Sequence, residues 1–341
     1  MNNNNYNIKS DEQVMLPGCK IPICSFSLTA LFGAPGVGKT YQMQKMEEAV
    51  IEYSNKSTYD LDNPFLCNGP ITHHIYISPS INSDRTLKKQ KDKILIDGDE
   101  NQNIIDLCDS IKEMVNIINI VLELQIHLRN FCKESKFTKT DQQNNVNTKE
   151  DEQIFAYMQT IITQIEKTKK EYPELKTKET NPQIKSNISK LYQILGLSFD
   201  GYLIRRNKII MMIDDCSGTS LFTNILENTF YKTLCKRRHM GIFFIAISFH
   251  SLGNTFYSFK TQMNAMLFFT GMKIDKVKAS FDDLTGLESP TFGEKEFVQL
   301  YKDTIGFQAE GEEKQKYVHN FLYILIRPSQ SIRLGFDKVL K

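Results

Sequence analysis

No run of about 18 or more apolar residues occurs in this chain, so the sequence offers no candidate for a membrane-spanning helix. The opening Met-Asn-Asn-Asn-Asn-Tyr has neither a basic nor an apolar stretch, which argues against a secretory leader and predicts a flexible segment over 1–20. The seven cysteines (Cys19, Cys24, Cys67, Cys108, Cys132, Cys216 and Cys235) are scattered, odd in number and never spaced C-x-x-C. A disulfide framework and a structural zinc site therefore both lack support, and a reducing, intracellular compartment fits best. An excess of charge is missing too: 42 Lys and Arg against 40 Asp and Glu leave +2. Any nucleic-acid contact has to come from local clusters, or from a ring of subunits concentrating modest positive charge around a channel. No Asn-Lys-x-Asp guanine-reading motif occurs, and no repeat at a solenoid or propeller period is evident.

What the chain does have is a glycine-rich loop in a telling setting. A β-prone apolar run at 26–32 leads into Gly33, Ala34, Pro35, Gly36, Val37, Gly38, Lys39 and Thr40, and the composition of 40–54 suits a helix. This is the Walker A pattern. Its glycines let backbone N–H groups converge on phosphates, its lysine reaches the β- and γ-phosphates, and its threonine hydroxyl ligates Mg²⁺. The start of a helix adds the positive end of its dipole. The plainer alternative is a glycine-rich turn that happens to precede Lys-Thr. The strand before the loop and the helix after it favour nucleotide binding.

At 341 residues, 40% of them hydrophobic, the chain is long enough for one large α/β domain with an insertion, or for two domains. Near-continuous apolar runs at 75–78, 209–213, 241–248, 266–269 and 321–326 read as buried strands separated by helical stretches, the signature of a parallel sheet covered on both faces. Between 98 and 200 the texture changes. Ile104, Leu107, Ile111, Met114, Val115, Ile118 and Leu122 fall on one helical face, a second pattern runs through Ile154, Met158, Ile161, Ile162 and Ile165, and a third covers 188–195. The stretch 166–179 reads as a solvated face or loop. The expected architecture is an α/β P-loop NTPase core of RecA-like type over 21–97 and 201–341. A helical insertion subdomain, packing on itself, is expected over 98–200.

Asp214 and Asp215 directly follow the apolar run at 209–213, at the carboxyl end of a buried strand, where open α/β sheets place ligands. Asp214 is the natural Mg²⁺-side carboxylate of a Walker B motif, and Asp215 the candidate for polarising the attacking water. An ordinary acidic turn is the alternative. An acid pair here favours hydrolysis over transfer to a small acceptor, and ATP over GTP follows from the missing guanine motif. A helical stretch at 220–238 ends in Lys236, Arg237, Arg238 and His239. Two readings stand side by side: cations complementing a helix dipole, or Arg238 reaching the γ-phosphate of a neighbouring subunit.

The ordered set Gly-Ala-Pro-Gly-Val-Gly-Lys-Thr at 33–40, Ile-Ile-Met-Met-Ile-Asp-Asp-Cys at 209–216 and Arg-Arg-His-Met-Gly-Ile-Phe-Phe-Ile-Ala-Ile-Ser at 237–248 resembles the genome-packaging ATPases of large DNA viruses and virophages, within the FtsK/HerA superfamily. The closing strand, followed by Arg333, Phe336 and Asp337, is similar to the way such proteins end. The resemblance covers about 22–80 and 205–341. It implies a RecA-like core assembling as a ring, expected to be a hexamer, that uses ATP and Mg²⁺ to drive double-stranded DNA into a preformed capsid, with capsid or portal-vertex proteins as partners. A viral source further implies the host's cytoplasmic virus factory, and the virion, as locations. By the same resemblance Lys39 and Thr40 hold phosphate and metal, Asp214 is the metal-side acid, Asp215 polarises water and Arg238 is the arginine-finger candidate. The family's glutamine at the tip of the fourth strand is absent: its place falls on or beside Phe249 and His250. His250 is thus either a substitute sensor or a surface residue. The family's arginine after that strand is replaced by a region holding Lys260 and Gln262. Two other functions stay open: a P-loop kinase of a nucleotide or small metabolite, which lacks an Arg-rich lid after Thr270, and a nucleotide-binding scaffold without activity.

Overall fold

Runs in which every residue is buried form the centre of the main sheet: β1 (Ser27–Phe32), β6 (Ile209–Ile213), β7 (Ile242–Phe249), β8 (Ala265–Phe269) and β9 (Phe321–Leu325). Successive residues of a strand point to opposite faces, so burial at every position means that both faces of the sheet are covered. The computed structural model describes residues 15–57, 69–81, 93–134, 176–178, 202–204, 207–216, 219–222, 228–250, 259, 261–287, 293–306, 320–328 and 330–340. Five further strands are β2 (His73–Ser78), β3 (Ile94–Asp97), β4 (Lys176–Lys178), β5 (Tyr202–Ile204) and β10 (Ser331–Leu334), and the last is β11 (Lys338–Val339).

The main sheet has nine strands in the order β11-β10-β9-β8-β1-β7-β6-β2-β3. From β8 to β3 all pairings are parallel, whereas β9, β10 and β11 add an antiparallel wing. The loop-bearing strand β1 lies between β7 and β8, and one strand, β7, separates it from the acid-bearing β6. Beneath the loop, Phe32 stacks on Phe249 at 5.4 Å and on Phe268 at 5.5 Å, locking the carboxyl ends of three neighbouring strands together. β3, β10 and β11 carry no strong apolar run: β3 is half-exposed with Ile94 facing solvent, and β11 is exposed.

The helix after the loop, α1, spans Lys39–Lys56 and buries Met43, Met46, Ala49 and Val50. α2 spans Asn101–Glu134, and Ile104, Leu107, Ile111, Met114 and Val115 of the expected face are buried. The side chains of Ile118 and Leu122, and the patterns at 154–165 and 188–195, lie outside the described residues. The stretch expected to be helical over 220–238 is broken. A single 3₁₀ turn at Ser220–Phe222 is followed by the short α3 (Thr229–Cys235), whose start is set by Asn228 accepting from the backbone N–H of Phe230 at 2.8 Å and Tyr231 at 3.3 Å. Within 166–179, read as a solvated face or loop, Lys176–Lys178 instead pairs antiparallel with Tyr202–Ile204. α4 (Ile274–Leu287) and α5 (Glu294–Gly306) complete the described helices.

The chain divides into two units. The first comprises Met1–Tyr59, Asn68–Asp109 and Lys208–Lys341, and contains the nine-stranded sheet; the second comprises Asp60–Cys67 and Ser110–Asn207, with the β4–β5 pair. Among the described residues no helix is long and apolar enough to cross a membrane. Cys19, Cys24, Cys108, Cys216 and Cys235 are free thiols.

Candidate functional site

β1 delivers the loop at 33–40 to the carboxyl edge of the parallel strands, and α1 begins at Lys39. Gly33 has no room for a side chain: a Cβ there would meet Phe269 Cβ at 2.7 Å and Val37 Cγ2 at 2.9 Å. Gly38, the residue before the helix, has a φ of 95°, a left-handed value that a side chain would strain. Both positions tie the glycines of the motif to a compact turn. The Gly33 N–H donates to the Phe249 carbonyl at 3.2 Å, so the loop is fastened to the tip of β7.

Lys39 curls back over the loop. Its Nζ donates at 2.8 Å to the carbonyls of both Gly33 and Ala34 and lies 3.4 Å from His250 Nδ1. Burial pulls the ammonium below the ordinary lysine range, and the carboxylates of Asp214 and Asp215 oppose that shift. The same bonds can be exchanged for phosphate oxygens of a nucleotide entering the loop.

The two acids stand opposite. Asp214 leaves β6 with its N–H on the Ile77 carbonyl at 2.9 Å, and its carboxylate accepts the Thr40 hydroxyl at 2.7 Å, across 174 residues of chain. It also accepts Tyr76 OH at 3.0 Å and Ser248 Oγ at 2.5 Å. Asp215 has a φ of 57°, in the left-handed region that aspartate tolerates better than most residues. The turn lets its N–H reach Ser248 Oγ at 3.0 Å and its carboxylate pair with His250 Nε2. Lys39, Thr40, Asp214, Asp215 and His250 are therefore one constellation. Arg238 is not part of it: it sits exposed in the turn before β7, at the amino end of the strand that carries His250 at its other end.

Its neighbour Arg237 points inward and is 6% exposed. The guanidinium donates to the carbonyls of Phe26 at 2.7 Å, Leu234 at 3.1 Å and Gln262 at 3.2 Å, and to Gln262 Oε1 at 3.3 Å and Asn264 Oδ1 at 3.2 Å. Burial brings its pKa down to about 10. Sequence reasoning gave Tyr76 and Ser248 no role. Ser248 shares strand parity with His250, a signal that period-2 alternation carries, whereas Tyr76 reaches Asp214 only because β2 lies beside β6. Glu47 of α1 was missed as well: buried, it accepts from Lys93 at 2.6 Å and lies 3.3 Å from His74 Nδ1.

Mg²⁺ fits the donor set at the loop. One hydroxyl and one carboxylate oxygen converge there, hard ligands of the kind this cation takes alongside nucleotide phosphates and water. Among the described residues no group of three or more His, Cys, Asp or Glu could hold a metal by itself.

No family model and no curated protein matches the sequence. Among solved structures, the genome packaging NTPase B204 from Sulfolobus turreted icosahedral virus 2 in complex with ATP-gammaS is similar at a TM-score of 0.39 and 9% identity, over 92% of this chain and 98% of that chain. B204, the DNA-packaging ATPase from Sulfolobus turreted icosahedral virus, gives 0.40 and 9% over 91% and 97%. The cytoplasmic domain of the type VII secretion ATPase EccC from Thermomonospora curvata gives 0.35 and 10%, over 93% of this chain and 27% of that one. At such TM-scores these likenesses decide nothing by themselves. The strand order, with the glycine-rich loop after β1 and the acid pair after β6, gives the chain the mainly parallel α/β fold of P-loop NTPases.

Proposed function

We propose that this chain is an ATP-hydrolysing motor that moves double-stranded DNA, packaging a viral genome into a capsid as a ring of identical subunits, a hexamer, docked on capsid or portal-vertex proteins. The observation that carries the reading is the Thr40–Asp214 hydrogen bond at 2.7 Å, which joins the phosphate-binding loop to the acid pair in a single site. The order of the three motifs along the chain, with its viral packaging resemblance, supports the narrower part of the reading.

Roles follow from position. Lys39 gives up the Gly33 and Ala34 carbonyls for the β- and γ-phosphates, and the loop N–H groups with the start of α1 hold the rest of the phosphate chain. Thr40 and Asp214 would hold the metal, and Mg²⁺, when bound, would supply neutralisation of the phosphate charge. Asp215 orients the water that attacks the γ-phosphorus, accepting its hydrogen bond. His250 sits against both Lys39 and Asp215, where it senses the γ-phosphate in place of a glutamine. Arg238, remote from its own site, serves the next subunit's.

The test is ATP hydrolysis by purified protein with and without double-stranded DNA, alongside its mass in solution. DNA-stimulated turnover and a ring-sized assembly are expected. Hydrolysis indifferent to DNA in rate and in assembly would overturn the motor reading while leaving the ATPase.

A further inference from the structure

Asp214 is held by more hydroxyls than its metal-side role requires. Oδ2 accepts from Thr40 at 2.7 Å and from Tyr76 OH at 3.0 Å, and Oδ1 accepts from Ser248 Oγ at 2.5 Å. Thr40 belongs to the phosphate-binding loop. Tyr76 and Ser248 come from β2 and β7, the strands on either side of the acid-bearing β6, and are 2% and 1% exposed. One grips the carboxylate from the left and the other from the right. Ser248 does a second thing: its oxygen accepts the N–H of Asp215 at 3.0 Å, so one side chain links the carboxylate of the first acid to the backbone of the second. The Tyr76 ring is fixed in turn. Lys93 Nζ lies 5.9 Å from its centroid and is tied to the buried Glu47 at 2.6 Å.

We infer that Tyr76 and Ser248 are positioning residues for the divalent cation: a two-sided hydroxyl cradle that fixes the plane of the Asp214 carboxylate and, through Ser248, the backbone of Asp215. The inference rests on the Mg²⁺–nucleotide reading of the site. Two torsions separate the aspartate carboxylate plane from the backbone, and the second, about the Cβ–Cγ bond, is broad. Hydroxyl donors on both oxygens narrow it to one setting, while Oδ1 keeps a further lone-pair direction for a ligand and Oδ2 would regain one on release of the Thr40 hydroxyl. Groups that hold a metal ligand in this way are worth about 10-fold to 100-fold in metal affinity where they have been removed. Neither residue belongs to the phosphate-binding loop, so their loss is expected to act on the cation requirement and to spare the phosphate grip of Lys39.

The experiment compares the full chain with Tyr76→Phe and Ser248→Ala. A fluorescent ATP analogue is titrated at rising Mg²⁺, Mn²⁺ binding in the presence of the analogue is followed by electron paramagnetic resonance, and affinity for the analogue without metal and the melting temperature are recorded beside them. Tyr76→Phe keeps the ring and removes one oxygen. Its half-saturating Mg²⁺ is expected to rise about 10-fold, with metal-free affinity and melting temperature held. Ser248→Ala is expected to shift in the same direction. An unmoved Mg²⁺ requirement in folded Tyr76→Phe overturns the cradle, because a tyrosine that only fills space behaves that way. Asp214→Asn separates the two levels. If that variant takes up metal and analogue like the parent, the Mg²⁺ site itself is wrong; if it loses the metal while Tyr76→Phe does not, only the cradle falls.

Discussion

An aspartate at a φ of 57° gives position 215 an unusual property for a mutational test. Left-handed backbone costs most side chains about 1–3 kcal/mol, and asparagine and aspartate are the side chains that bear it best. Asp215→Asn therefore keeps the turn that aims the side chain and removes only the charge proposed to polarise water. It is expected to bind an ATP analogue like the parent and to lose about 10²–10⁴ in turnover, measured by phosphate release at saturating ATP. His250→Ala, by removing the partner that holds both Lys39 and Asp215, is expected to lower turnover about 10-fold, and His250→Gln to recover part of it. Turnover of parental size in Asp215→Asn would remove that residue from the mechanism. The motif residues were legible in the sequence because phosphate chemistry fixes their types and spacing. Tyr76 and Ser248 were not: a buried tyrosine and serine in apolar strands look like any others until strand adjacency is known.

Among the elements, β7 links the most features, since its carboxyl tip carries Ser248, the Phe249 carbonyl that receives Gly33, and His250, while its amino end follows Arg237 and Arg238. The basic cluster before it could be read as one feature in sequence, and the structure divides it. No sequence pattern tells which of two adjacent arginines turns inward. Arg237→Met leaves the carbonyls of Phe26, Leu234 and Gln262 to find other partners, at about 1–3 kcal/mol for each buried acceptor left unsatisfied. A loss of at least about 3 kcal/mol in denaturant unfolding is expected, against about 0.5 kcal/mol or less for the exposed Arg238→Met. Equal losses would contradict this division. The five central strands were readable because burial on both faces demands continuous apolar runs. The short strands β3, β10 and β11 were not, because pairing at a half-exposed sheet margin needs no such run.

α1 has its own tie to the sheet through Glu47. Burial pushes that carboxyl up, but the hydrogen bonds and charges of His74 and Lys93 outweigh it, so the group titrates below its usual range. A carboxyl with a lowered folded-state pKa contributes stability that is complete above its unfolded value of about 4.3 and is lost as pH falls through the folded value. Melting temperature measured between pH 6 and about pH 3 is therefore expected to fall less steeply in Glu47→Gln than in the parent, from a lower starting point at pH 6. Parallel curves would show that Glu47 does not contribute to acid unfolding.

At the level of the whole molecule the position of Arg238 bears on the proposed assembly. β7 has eight residues, Ile242–Phe249, and at about 3.3 Å per residue its two ends stand about 23 Å apart. An arginine side chain at the amino end cannot span that length to reach its own loop. If Arg238 serves catalysis, it does so in a neighbour's site, and the proposed ring is then part of the active site and not only of the assembly. Complementation tests this directly. Arg238→Ala subunits keep intact acids and lack the arginine they lend; Asp215→Asn subunits keep the arginine and lack a working acid. Each alone is expected to be nearly inactive, a loss of about 10³-fold or more where a trans arginine is removed. Mixed at equal amounts under conditions that exchange subunits, they form junctions in which an intact acid faces an intact arginine, and ATP hydrolysis is expected to return to a sizeable fraction of the parent rate. If the mixture stays as inactive as its components while gel filtration shows that subunits have exchanged, Arg238 does not act across the junction.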